Sequence, residues 1–100
     1  MIEVHLDATK NYITVQGHAA RPEGVQPGQN IVCAAVSAIT LTLIEGLECI
    51  ALENVAAKVD SGDVLIQWDG PLGEIGSALI STWFIGILKI QEAYGEITII

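Results

Sequence analysis

Apolar and polar residues alternate with a period of two along three short segments of the chain. This alternation is typical of β-strands with one buried face, because successive side chains of a strand point to opposite sides. Two further segments also favour strands: one is rich in β-branched and aromatic residues, and the other is the last five residues of the sequence. The alternating segments are 2–7, 55–60 and 64–68, and the other two strands are predicted at 12–16 and 96–100.

Two longer apolar segments predict helices. Asn30 is a favourable N-cap, and the first helix is expected from Ile31 to about residue 51. The second is expected from Leu72 to about residue 93, with Gly95 ending it. Each contains 14 consecutive uncharged residues, fewer than the roughly 18–20 of a spanning helix, so we expect core helices and no membrane association. The first is apolar on nearly every side and is expected to lie at the centre of the fold.

The order of these elements, ββαββαβ, predicts an α+β fold in which a sheet of about five strands packs on two apolar helices. Residues 1–100 are expected to form a single domain. The first hairpin is expected to bring Gly17 and His18 to the edge of the sheet. The segment from Arg21 to Gln29 contains two prolines and two glycines and predicts a long loop, and loops of this length are often functional.

Composition adds a prediction about assembly. Hydrophobic residues make up 51% of a chain of 100 residues, and so small a domain buries only about two thirds of its unfolded surface. We therefore expect a second copy to cover part of the apolar surface in a homodimer. The net charge of −8, with only four lysines and arginines, argues against nucleic-acid binding, which needs a basic patch. It favours a cationic partner.

Two features predict the compartment. Residues 1–10 alternate polar and apolar side chains instead of forming a continuous apolar core, so no signal peptide is expected. Two cysteines do not indicate a disulfide framework. The chain is therefore expected to be cytoplasmic.

Cys33 is the first candidate for chemistry. With Asn30 as N-cap, Cys33 takes position N3, where unpaired backbone N–H groups and the helix dipole favour a thiolate. The same N–H groups could hold the oxyanion of a tetrahedral intermediate. The alternative is a small buried hydrophobic residue. Cys49 lies about 24 Å further along the same helix, too far to pair with Cys33, and is expected to have a packing role.

His18 follows a predicted strand and precedes the long loop, so it can act as a general base toward Cys33 if the loop folds back. The alternative is an exposed turn histidine. His5 is expected to be structural or solvated. Ser37 lies on the same helix face as Cys33 and can bond the histidine, the substrate or a helix carbonyl. Asn30 can orient His18 as well as cap the helix.

No metal or other cofactor is predicted. His5, His18 and Cys33 have no recognised ligand spacing, and Gly24 and Gly28 are not followed by the Gly-Lys-Ser/Thr of a phosphate loop.

The run GHA at 17–19, then a loop, then GQNIVCAAVSA at 28–38 closely resembles the ribosomal-processing cysteine protease family, Prp. The resemblance extends over the whole chain. It implies a dimeric cytoplasmic peptidase that removes the N-terminal extension of a large-subunit ribosomal protein, the twenty-seventh in the standard naming. It also implies aromatic residues before the cleavage site of the substrate.

The resemblance assigns catalysis to His18 and Cys33 and matches Gly17 and Ser37 to further site positions. We expect Gly17, Asn30 and Ser37 to bind substrate, and the peptide to lie along the sheet edge near Gly17. Asn30 stands where the family usually has Asp; it can still cap the helix and accept a hydrogen bond from an imidazole, but it carries no charge. The loop from 19 to 29 is longer than is usual.

Three alternatives remain at this point. A divergent member of this kind could process a phage capsid or scaffold precursor. The apolar helices could instead make the interface of a non-enzymatic dimeric module, with Cys33 in its core. The same two residues could also support acyl transfer or thioester hydrolysis.

Overall fold

The strands with alternating polar and apolar residues and the two apolar helices lie where the sequence predicts them. The computed structural model describes residues 1–19 and 30–100, so the predicted loop at 21–29 lies outside the described residues. The ββαββαβ order is confirmed, within a few residues at each boundary. The elements are β1 (Ile2–Asp7), β2 (Tyr12–Gly17), α1 (Ile31–Cys49), β3 (Val55–Asp60), β4 (Asp63–Trp68), α2 (Glu74–Tyr94) and β5 (Ile97–Ile99).

The five strands form one sheet in the order β3-β4-β2-β1-β5. β2 pairs antiparallel with β1 on one side and with β4 on the other, and β5 joins the far side of β1 in parallel. The expectation that the first hairpin places Gly17 at a sheet edge is therefore wrong. Both sides of β2 are occupied because the second hairpin adds to it, so Gly17 lies at the end of a central strand.

Both helices cover the same face of the sheet, and the core lies between these two layers. Its fully buried apolar side chains are Val4, Ile13, Leu47, Ile66 and Ile87. α1 and α2 approach closely where glycines stand at their interface, since a Cβ at Gly46 would lie 3.3 Å from the Leu79 side chain.

α1 does not lie at the centre of the fold, contrary to the expectation from its composition. One side packs on the sheet and on α2, while Ile31 and Leu41 on the other side are 60% and 46% exposed. By length and composition alone α1 could cross a membrane, and 33% of its most apolar window is buried in the structure. An apolar helix with no polar side does not specify which of its sides is covered.

A buried hydrogen bond joins the two helices. Trp83 Nε1 donates to Thr40 Oγ1 at 3.1 Å, and Thr40 and Trp83 are 1% and 4% exposed. In Thr40→Val the indole N–H keeps its burial but loses its acceptor, so we expect about 1–3 kcal/mol less free energy of unfolding.

Urea unfolding followed by tryptophan fluorescence measures this loss. Thr42→Val is the matched control, because Thr42 is exposed and, among the described residues, its hydroxyl bonds only to the Ala38 carbonyl of its own helix. A change within about 0.5 kcal/mol is expected there. Equal effects of the two substitutions would contradict a stabilising role for the buried bond.

Candidate active site

The end of β2 and the start of α1 meet directly. Ala19 and Asn30 flank the undescribed residues, and both are 5% exposed. Asn30 Nδ2 donates to the Ala19 carbonyl oxygen at 3.5 Å, and the Ala19 N–H donates to Cys33 Sγ at 3.3 Å. The residue after His18 is thereby held against the first turn of the helix.

Asn30 is the N-cap of α1, as predicted. Its Oδ1 accepts hydrogen bonds from the amides of Val32 at 2.9 Å and Cys33 at 3.1 Å. Cys33 therefore occupies N3, also as predicted. The expectation that free helix amides would hold an oxyanion is not met at these two positions, because Asn30 already occupies both N–H groups.

Cys33 is partly exposed, so its thiol is accessible. The N–H directed at its sulfur comes from Ala19 at the end of β2 and not from the helix. A hydrogen bond to sulfur stabilises negative charge on it. The Ala19 N–H is thus a backbone donor in direct contact with the candidate nucleophile.

His18 is exposed and lies against Gly62, in the turn between β3 and β4. No hydrogen bond joins its imidazole to the thiol of Cys33 within the described part of the chain. Both side chains nevertheless line the same cleft. A catalytic pair without a direct hydrogen bond is common in substrate-free enzymes, in which catalytic hydrogen bonds often form or shorten only when substrate binds.

The cleft has a volume of about 540 Å³ and opens between α1, the end of β2 and the β3–β4 turn. Leu41 and Val59 contribute to an apolar wall, and Val59 is 50% exposed. The charged residues among the described lining are Asp60 and Asp63. Sequence reasoning missed the contribution of this turn, because no local pattern connects it to a histidine more than forty residues earlier.

Gly17, Asn30 and Ser37, the three residues predicted to bind substrate, all line the cleft. Within the described residues the Ser37 hydroxyl makes no hydrogen bond, whereas Thr42 and Thr82 bond back to their own helices. Its hydroxyl is thus available to a bound molecule. Gly17 packs so closely on Met1 that a Cβ would overlap the Met1 carbonyl oxygen. The binding roles of Gly17, Ser37 and Asn30 stay predictions.

His5 lies on the sheet face that the helices leave open. Its Nδ1 bonds to the Tyr12 hydroxyl at 3.2 Å, and the two rings meet edge to face. This arrangement agrees with the structural role expected for His5.

Cys49 offers an internal comparison for Cys33. Its thiol is exposed and donates to Glu45 Oε2 at 3.5 Å. This hydrogen bond to a carboxylate, together with the nearby negative charges, raises the pKa of the Cys49 thiol. Both cysteines are free.

We expect iodoacetamide to modify Cys49 slowly at pH 7.5 and faster as the pH rises, because a raised pKa leaves little thiolate. Glu45→Gln removes the charge and should speed alkylation of Cys49 at that pH. Mass spectrometry of the two cysteine peptides measures each rate separately. An unchanged Cys49 rate in Glu45→Gln would show that the carboxylate does not restrain the thiol.

Comparison with known proteins finds a matching family. A family profile described as "Cysteine protease Prp" matches residues 1–98. No curated protein matches the chain.

Solved structures share the fold. A ribosomal processing protease Prp from S. aureus with a covalently linked product peptide is 23% identical, with a TM-score of 0.83, over 99% of this chain and 97% of that one. The protein SMU.848 from Streptococcus mutans is 26% identical, with a TM-score of 0.77, over 99% and 91%. A structure of the S. aureus protease with a substrate peptide is 18% identical, with a TM-score of 0.71, over 99% and 95%. These likenesses confirm the α+β fold.

Proposed function

This chain belongs to the cysteine protease Prp family and is a cysteine peptidase, and from that premise we propose that Cys33 is its nucleophile and His18 its general base. We further propose that the substrate is the N-terminal extension of a large-subunit ribosomal protein, the twenty-seventh in the standard naming. The observation that carries the proposal is the position of Cys33. Its sulfur lies at N3 of α1, receives the Ala19 N–H, and shares a cleft with His18.

The reaction follows from these positions. His18 accepts the thiol proton of Cys33, and the sulfur attacks the carbonyl carbon of the scissile peptide bond. The carbonyl oxygen gains the negative charge, and the Ala19 N–H is the donor placed to stabilise it. His18 then gives its proton to the departing amine as the C–N bond breaks. Water, deprotonated by His18, attacks the thioester carbonyl; the C–S bond breaks, the acid product leaves, and His18 returns the proton to the Cys33 sulfur.

The cleft suits an extended peptide that crosses the ends of the strands. Pairing along the strand that contains Gly17 is excluded, because β1 and β4 already occupy both sides of β2. The apolar wall formed by Leu41 and Val59 provides a surface for aromatic residues before the scissile bond. Asp60, Asp63 and the net charge of −8 favour a basic substrate protein.

Mass spectrometry after incubation with the ribosomal precursor tests the substrate. We expect one cut that follows the aromatic residues of the extension, and no cut in a control peptide in which alanines replace them. Cleavage of a phage capsid or scaffold precursor, with the ribosomal precursor left intact, would overturn the substrate assignment and leave the peptidase chemistry standing.

A cytoplasmic homodimer is also part of the proposal. Large apolar side chains are exposed on both helices outside the cleft, among them Ile31, Ile75 and Ile85. A second copy of the chain would remove such surface from water. Sedimentation equilibrium should give the mass of two chains, and a single-chain mass at micromolar concentration would contradict the dimer.

A further inference from the structure

Gly62 lies directly beneath the His18 imidazole. A Cβ at Gly62 would overlap Nε2 and would stand 2.7 Å from Cε1 and 3.0 Å from Cδ2 of the ring. These three atoms are its nearest neighbours, so Nδ1 and Cγ lie further away. The Nε2 end of the ring therefore lies over the backbone of the β3–β4 turn.

The turn that carries Gly62 is fixed relative to β2. Asp60 and Asp63 are paired, so Ser61 and Gly62 form a two-residue connection. The Gly62 carbonyl accepts the Gly17 N–H at 2.9 Å, one residue before His18. Gly62 has a φ of +72°, which a glycine adopts without strain. The hydrogen bond between Gly17 and Gly62 therefore holds the backbone of the turn next to His18.

We propose that Gly62 is a positioning residue for His18, which keeps the imidazole in the orientation that can exchange a proton with Cys33. The proposal rests on the role of His18 in the proposed function. A side chain at position 62 would overlap the Nε2 end of the ring and force the imidazole to another orientation. Since proton transfer requires contact between base and thiol, that displacement lowers the rate of the chemical step and not the binding of substrate.

Gly62→Ala tests the proposal, with Gly70→Ala as its matched control. Gly70 has a similar φ of +67°, but a Cβ there would meet no atom within 4 Å. Both substitutions therefore impose similar backbone strain, and only the one at 62 meets the imidazole. We expect Gly62→Ala to lower kcat by about 10- to 100-fold with KM changed less than about twofold. Gly70→Ala should leave kcat and KM within about twofold of wild type.

A second measurement needs no substrate. In a Cys49→Ala background, the rate of Cys33 alkylation by iodoacetamide is followed against pH. Gly62→Ala should give the pH profile of His18→Ala, and Gly70→Ala that of the parent. Adding Gly62→Ala to His18→Ala should change nothing further, because the ring that it displaces is gone. If Gly62→Ala alone does not fold, recovery of folding in the double variant supports the contact.

Equal effects of Gly62→Ala and Gly70→Ala, or a further slowing of alkylation by Gly62→Ala without His18, would overturn the positioning role. A wild-type protein that cleaves no tested precursor would count against the proposed substrate, while the alkylation profiles still decide the role of Gly62.

Discussion

Cys33→Ala is expected to abolish peptide cleavage, lowering kcat by about 10⁴-fold or more. The Cys33 sulfur accepts the Ala19 N–H inside the cleft, and no other described side chain occupies that position. Without that sulfur no thioester can form, and the remaining groups only bind and orient the peptide. Cleavage of a fluorogenic peptide with aromatic residues before the scissile bond, followed under multiple-turnover conditions, measures the loss.

Cys49→Ala is the control for this experiment. Cys49 is exposed, lies at the far end of α1, and its thiol bonds to Glu45, so the variant should retain wild-type kcat. Mass spectrometry of the quenched wild-type reaction should also show the acyl group on the peptide that contains Cys33. Retained cleavage by Cys33→Ala, or acylation at Cys49 instead, would exclude Cys33 as the nucleophile.

His18→Ala is expected to lower kcat by about 10²- to 10⁴-fold, the usual contribution of general acid–base catalysis. The same substitution should slow alkylation of Cys33 at neutral pH, because the base that accepts the thiol proton is lost. Both effects should weaken as the pH rises and hydroxide deprotonates the thiol. Comparing kcat and the alkylation rate of the variant and wild type between pH 6 and about 9 measures them.

His5→Ala is the matched control, because it removes an imidazole from the opposite face of the sheet. His5 bonds to Tyr12 there and does not line the cleft. A small loss of stability with unchanged kcat is expected. If His18→Ala and His5→Ala behaved alike in both assays, His18 would have no role in the chemistry.

The local part of the candidate site was predictable. An Asn followed by an apolar run is enough to predict an N-cap, and counting from Asn30 places Cys33 at N3, as the structure confirms. The chemistry at that position was predicted less well. The N-cap side chain takes up the helix amides expected to hold an oxyanion, and the donor to sulfur is Ala19, which is 14 residues away.

The sequence by itself determined the element types, their order and the α1 start, because alternation and capping depend on residues within one or two turns of each other. Only the tertiary structure decided which strands flank β2 and which side of α1 is exposed. It also decided that the turn containing Gly62 meets His18. Those features depend on packing between segments far apart in the chain, and an apolar helix or a short turn can satisfy its local preferences in several such arrangements.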